Sequence, residues 1–96
     1  MSKRSVERRL AKTGARLKVL RGEIAVTEEQ LLYLGEDADD QAIRAMVAET
    51  ASSSFDARSA QGNFENMSKH RARMIAEISQ LEQQQDELLD QLLSVR

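Results

Sequence analysis

The stretch ISQLEQQQDELLDQLL, residues 78–93, carries Ile78, Leu81, Leu88 and Leu92 at steps of three and four, with Gln85 standing where the next apolar residue is due. A three-four alternation is the spacing of a helix that buries one narrow stripe against a partner helix. Traced outward, the same rhythm passes through Met74, Met67 and Phe64 and on to Val95, with Arg71 in a second polar gap. The N-terminal third repeats it with Val6, Leu10, Leu17, Leu20, Ile24, Leu31 and Leu34, and here the gaps hold Thr13 and Thr27.

Two stripes with two polar gaps each can be set antiparallel in one register that matches all four gaps, with facing position numbers summing to 98. Leu17 then faces Leu81, Leu20 faces Ile78, Thr13 faces Gln85 and Thr27 faces Arg71. A slip of one heptad buries the polar residues against apolar ones, at about 1–3 kcal/mol or more for each unpaired amide or guanidinium. Gln85 is therefore expected in the seam because a polar partner faces it, and such pairs set register.

Between the two stripes, Gly35 has the form of a helix stop, and Asp37 or Asp39 that of a cap opening a short helix with a stripe of Ile43, Met46, Val47 and Thr50. Ser53 with Asp56 three residues on has the form of a capping box for a third helix. The expected fold is all-α: an antiparallel coiled-coil helical hairpin with a short third helix, in a single domain over residues 1–96, with helices at about 5–34, 39–51 and 54–94.

Composition agrees and narrows the function. Ninety-six residues bury only a thin core unless they pair with something. There is no proline to interrupt a long helix and no cysteine for disulfides, thiolate metal sites or thiol nucleophiles. No segment approaches the roughly 18 apolar residues of a membrane span, so a cytoplasmic protein is expected. His70 and Tyr33, each the sole residue of its type, belong to no recognisable constellation. The acidic run at 36–40 lacks the glycine and distal glutamate of a calcium loop, and no scattered glycine forms a phosphate cradle. Neither catalysis nor a metal or cofactor is expected.

The charge is uneven. Residues 1–22 hold eight Lys/Arg against Glu7 alone, and residues 23–65 hold ten Asp/Glu against Arg44 and Arg58. In the antiparallel register the basic segment lies beside Asp86, Glu87 and Asp90, with Arg16 expected to pair with Glu77. Arg4, Arg8, Arg9, Lys12 and Arg16 could instead contact the phosphates of a nucleic acid. An acidic pI of about 5.4 and the lack of interleaved aromatics favour the internal match. Glu36, Asp37, Asp39 and Asp40 would form an acidic end to the hairpin, an outline that resembles the secondary-channel transcription factors that insert a coiled coil into RNA polymerase; the resemblance carries no residue across.

One flank of the expected hairpin collects Ala11, Gly14, Ala25, Leu32, Ala72, Ile75, Leu89 and Leu93, small and aliphatic residues that let another helix approach. The expected function is a non-enzymatic protein–protein interaction module, an adaptor or regulator, forming a homodimeric helical bundle through that flank or receiving a different protein's helices. The alternative is a nucleic-acid- or transcription-machinery-associated factor using the basic helix or the acidic end. The register makes a direct prediction: Leu17→Gln lowers stability by about 2–4 kcal/mol in urea unfolding while Gln85→Leu costs little, and Leu20→Cys crosslinks to Ile78→Cys.

Overall fold

The computed structural model describes residues 2–94, so Val95, the last position of the second stripe, lies outside the described residues. The chain is all-helical, with two long helices, α1 (Lys3–Ala48) and α2 (Ala51–Ser94). There is no third helix among the described residues. α1 runs straight through Gly35 and the acidic run, and the backbone leaves the helix only at Glu49 and Thr50.

Three expectations are corrected by this continuity. Gly35 does not stop a helix, Asp37 and Asp39 do not cap one, and the serines at 52–54 lie in the first turn of α2 rather than in an interruption. The reason is that the three-four rhythm does not end at Leu34. Ala38, Gln41 and Ala45 continue it on α1, and Ser53, Ala57 and Ala60 prefix it on α2, and all six are buried or half-buried. A glycine inside a helix costs about 0.5–1 kcal/mol, too little to end one that still has a face to bury. Gly35 also has local work: a Cβ there would lie 3.3 Å from Cε2 of Phe64, so its absence makes room for the ring. Ile43, Met46 and Val47, expected to form a buried stripe, point away from the seam. Ile43 lies two residues from both Gln41 and Ala45, roughly 200° around the helix from each.

The break has its own chemistry. Glu49 adopts a left-handed conformation (φ 51°) while its N–H still donates to Ala45 O at 3.0 Å, which ends α1. Thr50 caps α2: Ser53 N–H donates to Thr50 Oγ1 at 3.1 Å and Thr50 N–H donates to Ser53 Oγ at 3.2 Å. The reciprocal box thus sits one turn before the expected Ser53–Asp56 pair, with Ser53 as its second member. At the other end Ser2 caps α1 through Ser5 N–H, at 3.2 Å.

The chain divides into two compact units, Met1–Ile24 with Arg73–Arg96, and Ala25–Ala72. In the first, Val6, Leu17, Leu20, Met74 and Leu88 are buried with Thr13. In the second, the buried residues are Ala38, Ala60 and Thr27. There Glu28 meets Arg71 and Gly35 meets Phe64. Every buried residue among the described ones falls on the three-four series.

Backbone preference gives the test. Glu49→Gly relieves the left-handed residue and raises stability by about 0.5–1 kcal/mol. Gly62→Ala gains a similar amount in helix propensity, since a Cβ there meets nothing within 4 Å, whereas Gly35→Ala gains less because the Phe64 ring must give way. Thermal unfolding of the three variants checks the order.

Candidate functional site

Two kinds of surface stand out beside the seam: ion pairs that flank it and apolar side chains it leaves outside. In the first unit Arg16 Nε donates to Glu77 Oε2 at 2.7 Å and its Nη2 donates to Oε1 at 3.2 Å, the bidentate geometry of a guanidinium on a carboxylate. Arg16 and Glu77 are the flanking pair expected from the register. The hydrogen bond from Arg16 holds the Glu77 carboxyl below its usual range, and the same bond raises the guanidinium's already high value. A second pair, Arg21 to Glu82, is looser at 3.8 Å.

In the second unit Arg71 donates from Nε and Nη2 to Glu28 Oε1 at 3.2 and 3.0 Å. The expected match of Arg71 with Thr27 is corrected accordingly. The guanidinium reaches past the seam to the flanking carboxylate, keeping its charge at the surface while its stem stays in the layer. Thr27 is buried without it, and no buried side-chain nitrogen or oxygen among the described residues lacks a partner.

Of the basic residues considered for phosphate contact, Arg9, Lys12 and Arg16 line a groove with Thr13, Leu81, Gln84, Glu87 and Leu88, bringing basic and acidic groups of the two helices together. Arg4, Arg8 and Lys12 are exposed and form no ion pair among the described residues. The acidic residues Glu36, Asp37, Asp39 and Asp40 are exposed around buried Ala38, within α1 rather than at its end. The acidic end is thus corrected, and with it the basis of the outline resemblance.

The flank residues are distributed between the units. In the first, Ala11, Ile75, Leu89 and Leu93 are exposed and Gly14 is half-buried; in the second, Ala25, Leu32 and Ala72 are exposed. Arg21 lies seven residues from Gly14, and Glu82 seven from both Ile75 and Leu89, so the Arg21–Glu82 pair crosses this flank. The sequence reading placed Ile43, Met46 and Val47 in the stripe of a short helix and did not single out Phe55; all four are exposed. Their signal was present: they are apolar and out of phase with the seam.

His70 and Tyr33 are exposed, and among the described residues no group of three or more His, Asp or Glu is placed to hold a metal ion. No helix among them is long and apolar enough to cross a membrane. No protein-family description, curated protein or solved structure matches the chain.

The Arg16–Glu77 pair carries a pH dependence whose sign follows from the lowered carboxyl. Its contribution is present above the ordinary carboxylate range and is lost as the pH falls through the lower folded value. Arg16→Ala returns the Glu77 carboxyl to its ordinary range, read by its side-chain NMR titration, and removes that part of the acid sensitivity.

Proposed function

We propose that the protein is a non-enzymatic coiled-coil interaction module, an adaptor or regulator whose two helices pack antiparallel in the register of matched polar gaps and which works by receiving further helices. The observation that supports this reading most is the amount of large apolar surface outside the seam: Ile75, Leu89 and Leu93 in one unit, and Leu32, Tyr33 and Met46 among those of the other. Helices that bury one stripe between them and keep aliphatic side chains on a second face are built to be covered. The proposed partner is a second copy, paired through the flank of Ala11, Gly14, Ile75, Leu89 and Leu93, which the Arg21–Glu82 pair crosses.

The second reading, a nucleic-acid-associated factor, draws support from Arg4, Arg8 and Lys12, which make no ion pair among the described residues and stand free to meet phosphates. Against it, the Lys/Arg-rich segment shares its groove with Glu87. Salt separates the two: phosphate binding falls steeply with added salt, and an apolar helix contact does not.

Light scattering at tens of micromolar is expected to give a dimer, converted to monomer by Ile75→Glu or Leu89→Glu. A monomer indifferent to both substitutions excludes self-pairing and assigns the flank to another protein.

A further inference from the structure

The break between the helices carries a surface that neither the seam nor the flank uses. On α1, Ile43, Met46 and Val47 stand at the i, i+3, i+4 spacing of one helix face and are 55%, 71% and 81% exposed; just past the break on α2, Phe55 is 62% exposed. Ile43, Met46 and Val47 on one helix face form a patch of the kind that marks an interaction site, whereas Phe55, two residues from both Ser53 and Ala57, points away from the seam on α2 and is not part of it. Ile43 and Val47 also line a hollow with Gln41, Arg44, Ser53 and Asp56, so the two helices contribute jointly to a concave surface. All of this lies within the Ala25–Ala72 unit.

The charge around the patch restricts what can cover it. Residues 36–56 hold six carboxylates, Glu36, Asp37, Asp39, Asp40, Glu49 and Asp56, against Arg44 alone. The four between 36 and 40 are exposed one to two turns before the apolar face. An anionic lipid surface is repelled by such a rim. The basic segment of a second copy matches the charge but not the apolar patch, because its own stripe of Val6, Leu17 and Leu20 is buried.

We infer that this surface binds a cationic amphipathic helix of another protein, its aliphatic face on Ile43, Met46 and Val47 and its Lys/Arg residues against the carboxylates of 36–40. Methionine at the centre suits the task, since an unbranched thioether side chain adapts to differently shaped partners. The mode is a helix laid on an apolar face, with rim charges that raise the association rate and select the sign of the partner. The inference rests on the reading of the chain as an interaction module but uses a surface separate in sequence from the proposed dimer flank.

The test uses the full chain and a fluorescent synthetic helix of about 18 residues made of Leu and Lys in amphipathic order, long enough for about five turns. Controls are a Leu/Glu helix, a Lys/Ser peptide of equal charge, and vesicles of phosphatidylcholine alone or with phosphatidylserine. The Leu/Lys helix is expected to bind at least tenfold tighter than every control. Met46→Ser with Val47→Ser, a pair of exposed positions confirmed as folded by circular dichroism, weakens it at least tenfold without changing charge. Asp39→Asn with Asp40→Asn weakens it and flattens its salt dependence, and Leu89→Glu leaves it unchanged.

Equal binding of the Lys/Ser peptide, or indifference to the Met46/Val47 pair, overturns the proposal by reducing it to charge alone. Vesicle binding overturns it in favour of lipid. Loss of binding in Leu89→Glu moves the site to the flank, overturning this inference while leaving the interaction reading in place; no binding together with a monomer indifferent to flank substitutions removes both.

Discussion

The arrangement of the chain depends on one backbone event, the left-handed turn of Glu49 between two helices of more than forty residues each. Elsewhere the described residues prefer to remain helical, and there is no proline to oppose them. A single continuous helix would leave its stripe in water, since a stripe of this width is covered only by another helix. Reversal at Glu49 lets the chain supply that second helix itself. The conformation is unfavourable for a residue with a Cβ by about 1–2 kcal/mol, and it is held by what lies on both sides: the Ala45 carbonyl before it and the Thr50–Ser53 box after it.

The position of that reversal also governs the surface. Moving it by one residue would rotate one arm by roughly 100° against the other and carry its stripe out of the seam. With the turn where it is, Arg71 ends up beside Glu28 and Phe64 beside the gap at Gly35. The same phase turns Met46 and Val47 outward and leaves Arg21 and Glu82 across the aliphatic flank. Interaction surfaces here are therefore what remains after one stripe has been satisfied.

Much of this was legible in the sequence, and the misreadings have physical causes. The stripes were readable because leucine, isoleucine and methionine mark buried positions strongly, and the Arg16–Glu77 pair followed from their register. The join was misread because alanine and glutamine mark such positions weakly, so the continuation through Ala38, Gln41 and Ala45 passed unnoticed while Gly35 and four carboxylates resembled punctuation. Yet facing positions that sum to 98 have their midpoint at residue 49, which is where the helix ends. Arg71 was misassigned for another reason: a long cation can occupy a seam position with its stem alone, and sequence spacing does not say where its head goes.

The small residues near the turn have a consequence for how the protein opens. Around Leu17 and Leu20 the seam is closed by branched aliphatic side chains, each burying several methyl and methylene groups. Nearest the turn it is closed by Ala38, Gln41, Ala45, Ser53, Ala57 and Ala60, which bury far less. At about 0.8 kcal/mol per buried methylene, the stretch next to Glu49 is held together by less than the layers around Leu17 and Leu20. Amide hydrogen exchange should then be graded along each helix, fast through local opening around residues 38–60 and slow near Leu17 and Met74. An element that separates at low cost can adjust its interhelical distance to an incoming side chain without unfolding the rest, so the segment that presents the most exposed apolar surface is also the one most able to reshape itself.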